Sequence, residues 1–477
     1  PQRGYNISVE EAHLSFHTPG QLGIRYKELN YPFKVTIGEA DNIKRYQWDV
    51  KGLSAIVSEP SGPHYLDIFP AVLLSPNEII YEGFAGDFSS WKSYGKWSYD
   101  LNAGRQELPP STVEEVKRIV QPIADKKEKV RAIYQYMQRK TRYVNITLGI
   151  GGWQPFPAAE VDEKGYGDCK ALSNYMKALL KSVGIESLYT IIGSGQNVKI
   201  KFPDFPGNGQ ANHIILCVPL EQDTVWLECT NQTIPFGYIS SANTDRHCLL
   251  VKPEGGVLVR TPDYPAEKNR RSSTISASLV ENGGASFACA SRFSNYMFEE
   301  VFGMMSLSRD EQKKALLNGL SASGLAISDF SLSDISDKQA EASLAVKGNI
   351  SSYSVRAGGR LFVQPNFLFK NSFPEKISRE RKYSLCEEIG FNYQDTLNLI
   401  LPDQLTLEFM PENVALSSIY GSFEITYSKV QDNQVMIIRS VRIKKGEYDK
   451  SKFAEINSFL MNIAKREKEK LVLTAKS

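Results

Sequence analysis

Hydrophobic positions change their period along the chain, and the changes divide it into three regions. Through residue 110 the apolar residues come in short runs broken by turn residues, as strands require. Tyr46, Trp48 and Val50 alternate with polar neighbours, the pattern of a half-buried strand. Leu66 to Leu74 is a second apolar run, and Pro70 within it suits an edge or a bend. Leu108-Pro109-Pro110 then forms a stiff, helix-excluding linker. Helical spacing begins at once. Thr112 with Glu115 predicts a capping box, and Val113, Val116, Ile119 and Val120 line one face. A second helix is predicted over residues 126–138, burying Val130, Ile133, Tyr134 and Met137. Extended segments at 188–192, 214–218 and 225–229 make this middle block a mixture of helix and strand.

From about residue 263 the strand pattern returns. Glu281-Asn282-Gly283-Gly284 between two strand-like runs predicts a hairpin, because Asn-Gly tolerates the positive φ of a type I′ turn. Further strands are expected at 342–350, 397–401, 423–430 and 435–443. Two helices interrupt them: 309–320, capped by Ser308 with Glu311, and 450–465, which buries Phe453, Ile456, Leu460 and Ile463. No short-period repeat of the solenoid kind is present. The expected organisation is α+β: a β-rich region 1–110, a mixed core 111–262 and a β-rich region with two helices 263–477.

Composition fits that picture without narrowing it. At 477 residues the chain exceeds what one core usually serves, and domain sizes suggest roughly three. Residues are 42% hydrophobic and 23% charged, enough apolar material to exclude wholesale disorder. The net charge of +2 gives no reason to expect nucleic acid. Two basic runs, 376–382 (KISRERK) and 465–470 (KREKEK), interleave acidic residues and read as solvated faces. No apolar stretch approaches a transmembrane span of about 20 residues. The chain starts at Pro1 rather than methionine, so a missing signal peptide is uninformative. Six dispersed cysteines are too sparse for a disulfide scaffold, and no CxxC pair points to zinc. His13 and His17 are four apart but lie in an extended sequence, which argues against a metal site. No metal or cofactor is expected.

The chemically informative stretch is Gly165-Tyr166-Gly167-Asp168-Cys169-Lys170-Ala171. Apolar residues at 171, 172, 175, 176, 179, 180 and 183 form a helical stripe, with Gly184 placed for a left-handed C-cap. Asp168 is a good N-cap, which puts Cys169 on the first turn. Backbone N–H groups there favour an anion and are candidate oxyanion donors, the Cys169 N–H among them. A buried structural cysteine is the plain alternative. His213 opens a predicted strand, and a hairpin with loop 219–222 would set it directly opposite Glu228. A carboxylate facing an imidazole fixes its tautomer and stabilises the imidazolium, so Cys169, His213 and Glu228 read as nucleophile, base and orienter. Alone, His213 would more often be a structural histidine. Gln154 has two readings of similar weight, an oxyanion donor or a turn residue before Pro155. Trp153 is a wall of the acyl groove or a core residue.

The helix-start Gly-Asp-Cys-Lys, the Asn212-His213 strand and the Trp226-Leu227-Glu228 strand resemble the transglutaminase-like superfamily, whose fold is papain-like. Arg142-Tyr143-Val144, Gly149 to Pro155 and Pro235-Phe236-Gly237 are similar to a bacterial group of that superfamily. Its members carry an N-terminal domain of unknown function, a transglutaminase core and a C-terminal β-domain. Trp91 to Trp97 resembles the end of that N-terminal domain, which is short here, as if strands were absent. The resemblance implies a papain-like core flanked by two sandwich-like β-domains. It implies acyl transfer through a thioester on a protein or peptide substrate, with hydrolysis favoured over cross-linking, and export to the periplasm or cell surface. Two departures stand out: Glu228 where the family usually has aspartate, and Ala171 where an acidic residue often follows. Both also fit a catalytically retired binding or scaffold protein.

Overall fold

A computed structural model describes residues 1–320, 322–336, 340–369 and 380–476. It divides into two compact units, residues 1–58 with 63–263 and residues 59–62 with 264–477. The segments 1–110 (apart from 59–62) and 111–262 both lie in the first unit.

In the first unit, strands Val9–Pro19, Ile43–Leu53 and Thr36–Ala40 form an antiparallel sheet in that order. Tyr46, Trp48 and Val50 are buried on one face, as their alternation predicts. The centre of the unit is a five-stranded antiparallel sheet ordered Thr224–Leu227, His213–Pro219, Leu188–Ile192, His247–Lys252, Gly255–Arg260. The Cys169–Lys181 helix packs on its His213–Pro219 strand, where the Ser173 hydroxyl donates to the Ile214 carbonyl at 3.4 Å. Three more helices are tied to it through one carboxylate. Asp162, from the Ala158–Lys164 helix, accepts from Thr112 at 2.9 Å, Lys140 at 2.6 Å and Tyr175 at 2.6 Å. Thr112 and Lys140 belong to helices Pro110–Val120 and Lys126–Lys140.

Two local expectations for this unit are corrected. Trp91–Leu101, within the region read as strand-like, is a helix with a Ser90–Ser93 capping box. Its aromatic residues, good strand formers, bury Trp91, Tyr94, Trp97 and Leu101 at helical spacing. It packs against the His247–Lys252 and Gly255–Arg260 strands. The close approach needs glycine on both sides: a Cβ on Gly95 would sit 2.2 Å from the Gly256 Cα. The Thr112–Glu115 capping box does not form. The helix instead starts at Pro110, whose missing N–H costs nothing at N1, and the Thr112 hydroxyl turns to Asp162.

The second unit is built on an eight-stranded sheet, antiparallel except where Arg270–Leu279 runs parallel to Phe391–Ile400. A four-stranded sheet and the helices Tyr296–Phe302, Arg309–Gly319 and Phe453–Arg466 accompany it. Ser308 and Glu311 form the predicted capping box. The Asn282-Gly283 hairpin forms with a three-residue loop rather than a type I′ turn. Val280 bonds Gly284, and of the two residues Gly283 has positive φ, at 92°.

The basic runs are less solvated than their charge suggests. Residues 376–379 lie outside the described residues, but Arg381 is buried against Glu59 at 3.5 Å. Glu467 is turned inward onto buried Arg439. Among the described residues no helix is long and apolar enough to cross a membrane. The fold class is α+β, with a mixed core and several β-rich sheets.

Candidate functional site

The segment leading to Cys169 is shaped by local backbone needs. Gly165 ends the Ala158–Lys164 helix in the left-handed conformation at φ 67°. Gly167 lets the chain pass the next helix, since a Cβ there would lie 2.7 Å from the Ala171 Cβ. Asp168 caps that helix by accepting from the Ala171 N–H at 3.0 Å, and its other oxygen is paired with the Lys170 ammonium. Both charged groups are buried. Leu172 makes the first helical hydrogen bond, to the Asp168 carbonyl, so Cys169 and Lys170 supply the N-terminal donor groups. Ala171 is 1% exposed and packed against Gly167, a place where an acidic side chain would be buried without room.

Cys169 is a half-buried free thiol. It lines a cavity of about 480 Å³ together with His213, Lys170, Trp153, Tyr143 and Tyr189. Cys217, Cys229, Cys248 and Cys289 are free as well. Burial pushes the thiols of Cys217 and Cys289 up to about 11, and those of Cys229 and Cys248 higher still.

His213 Nε2 is 2.9 Å from Glu228 Oε2, which leaves Nδ1 as the nitrogen available to the thiol. Burial alone would lower the imidazole pKa. The Glu228 charge and hydrogen bonds with Cys169 and Glu228 outweigh it and push the group up to about 10. Glu228 is saturated with partners. Oε2 also accepts from Asn243 Nδ2 at 2.9 Å, and Oε1 accepts from the Thr230 N–H at 3.0 Å and its hydroxyl at 2.6 Å. Burial would raise its pKa, but the His213 charge and the bonds from His213 and Thr230 hold it below the ordinary carboxylate value. The Tyr134 hydroxyl fixes the Glu228 carbonyl at 2.6 Å.

The predicted hairpin register is corrected by two residues. Val218 pairs with Val225 and Leu216 with Leu227, around a four-residue loop from Leu220 to Asp223. Extending that register puts Glu228 opposite Ile215, so His213 and Glu228 are diagonal rather than directly opposed. A slip of two keeps every side chain on its original face, and the longer glutamate spans the diagonal.

The remaining sequence candidates are placed as follows. Gln154 is buried, its amide donates to the Leu101 carbonyl at 2.8 Å, and it does not line the cavity. Trp153 lines the cavity and packs edge-on against Trp97, with ring centroids 5.4 Å apart. His13 bonds Asp49 on the surface of its strand, away from this cavity. Among the described residues no cluster of three or more His, Cys, Asp or Glu could hold a metal. Sequence reasoning missed Asn243, Thr230 and Tyr134. Thr230, two residues after Glu228, had a local signal as a side chain able to bond a neighbouring carboxylate. Asn243 and Tyr134 had none.

The profile of the Transglutaminase-like superfamily matches residues 114–229, which span the capped cysteine, the histidine strand and the carboxylate. Residues 114–229 are a transglutaminase-like domain. A domain of unknown function, DUF3858, matches residues 359–473 of the second unit. The chain is similar in fold to a candidate protease from Parabacteroides distasonis. The TM-score is 0.59 at 12% identity over 99% of this chain and 74% of that one. A candidate cysteine protease from Cytophaga hutchinsonii matches at 12% identity over 53% of this chain and 70% of that one, with a TM-score of 0.22. No curated protein matches.

Proposed function

We propose that this protein is a cysteine-dependent hydrolase that cleaves peptide or carboxamide bonds through a thioester. The observation that carries the reading is that Cys169 and His213 line one cavity, with His213 Nε2 bonded to Glu228 at 2.9 Å. His213 takes the Cys169 proton, and the thiolate attacks the carbonyl carbon. The Cys169 and Lys170 N–H groups face the developing oxyanion at the positive end of their helix. As the tetrahedral species collapses, the C–N bond breaks and the His213 imidazolium protonates the leaving amine. A water then loses a proton to His213 and attacks the thioester, releasing the acid and restoring the thiol. Glu228 stabilises the imidazolium at both stages. The acidic residue absent at 171 has no part in these steps. Water is favoured over an amine as acceptor because the Parabacteroides distasonis protein of the same fold is described as a candidate protease.

The test is incubation with glutamine-containing peptides, with and without a primary amine, read by mass spectrometry. Hydrolysis products in both reactions, absent with Cys169→Ala, are expected. An amine adduct as the main product would make the protein a cross-linker. Equal turnover by Cys169→Ala would end the cysteine mechanism.

A further inference from the structure

The strands Glu78–Tyr81 and Phe84–Asp87 form a hairpin that turns through Glu82 and Gly83. Both turn residues have positive φ, 47° and 85°, as a tight two-residue turn requires. Tyr81 pairs with Phe84 across the turn, so their side chains share one face of the hairpin. Gly86, two residues on from Phe84, belongs to that face and lies on Trp97: a Cβ there would meet the indole at 2.9 Å. Towards the tip the same face outruns the core. The Tyr81 ring reaches Trp153, with centroids 6.4 Å apart, yet Tyr81 and Phe84 remain 37% and 41% exposed. The tip is held in place, because Glu82 Oε2 accepts from the Ile150 N–H at 3.1 Å.

This aromatic strip is continuous with the cavity that holds Cys169, since Trp153 lines that cavity and touches Tyr81. The lining offers a substrate little charge to pair with. Besides His213, its charged side chain is Lys170, which is buried against Asp168. Glu82 at the tip is engaged by backbone. Exposed rings beside a nucleophile gain free energy when an apolar group covers them. We infer that Trp153, Tyr81 and Phe84 form a subsite for a bulky apolar side chain of an uncharged peptide segment next to the scissile bond. The occupant rests on the hydrolase reading, but the binding test requires no turnover.

Binding is measured by ligand-observed NMR with Cys169→Ala protein and neutral, end-blocked pentapeptides. Each carries a central glutamine among alanines, and a single phenylalanine takes every other position in turn. At one position phenylalanine should tighten binding about tenfold or more over the all-alanine parent, the gain from burying one aromatic side chain. Tyr81→Ser combined with Phe84→Ser should abolish that gain. Should the pair lower the thermal midpoint, Phe84→Ser alone should reduce the gain by a smaller factor. No gain at any position, or a gain untouched by these variants, would overturn the subsite while leaving Cys169-dependent hydrolysis to stand. In active protein the same phenylalanine should lower KM rather than raise kcat. A gain in binding without hydrolysis of any of these peptides would keep the apolar subsite and end the hydrolase reading instead.

Discussion

At the scale of single residues, the account turns on Glu228. Its two oxygens accept from His213, Asn243 and Thr230, so its position is over-determined. The extra methylene of glutamate spans the diagonal to His213, and under the proposed mechanism this carboxylate orients the imidazole. Glu228→Gln removes the charge that favours the imidazolium. The His213 pKa should fall from about 10 towards 6.5, followed by NMR of the imidazole protons. Turnover should drop by about 10²–10⁴-fold, the range for a lost acid–base contribution. The raised His213 pKa also sets a sign. The imidazolium is present below about 10 and is lost as pH rises through it, so the alkaline limb of activity should move to lower pH in the variant. The cysteine, the histidine and the carboxylate were legible in sequence because each sits at a local landmark: an N-cap, a strand start, a strand end. The two-residue register error was harmless because strands alternate with period two. Asn243 was invisible, since nothing in its own neighbourhood marks a residue that meets Glu228 only after folding.

At the scale of elements, the Trp91–Leu101 helix links stability to the cavity. Tyr94, Trp97 and Ser98 line the cavity from it, while Gly95 rests on Gly256 of the sheet. Gly95→Ala forces backbone apart at 2.2 Å, an overpacking expected to cost about 1–3 kcal/mol. The thermal midpoint should fall and KM should rise, because Trp97 is displaced two residues away. An unchanged midpoint would mean that the helix is not seated on the sheet as described. This element escaped sequence reading because its aromatic residues favour strands, and helical spacing over one short segment is a weak signal. The Cys169–Lys181 helix was legible in full because its apolar stripe runs over several turns between a strong N-cap and Gly184.

At the scale of the whole molecule, the second unit carries a buried electrostatic anchor of its own. In the second unit Arg439, 3% exposed, donates to Asp395 at 2.8 Å and to Glu467 at 2.7 Å. Arg439→Ala leaves two carboxylates facing a buried void, a loss of about 3–5 kcal/mol. Calorimetry should show a lowered transition for that unit, while Cys169 chemistry at 25 °C persists. Strand content in this unit was readable from alternation. The parallel pairing of Arg270–Leu279 with Phe391–Ile400 was not, because partners over a hundred residues apart leave no local trace.

The central claim concerns one thiol activated by one imidazole, and alkylation by iodoacetamide at pH 6 with peptide mapping tests it most directly. Cys386, also half-buried, is an internal reference in the same chain. The account predicts that Cys169 is modified roughly tenfold faster or more than Cys386, and that His213→Ala removes the difference. Labelling of Cys169 no faster than an ordinary thiol, or equally fast without His213, would contradict the account and leave a binding or scaffold protein with a retired site.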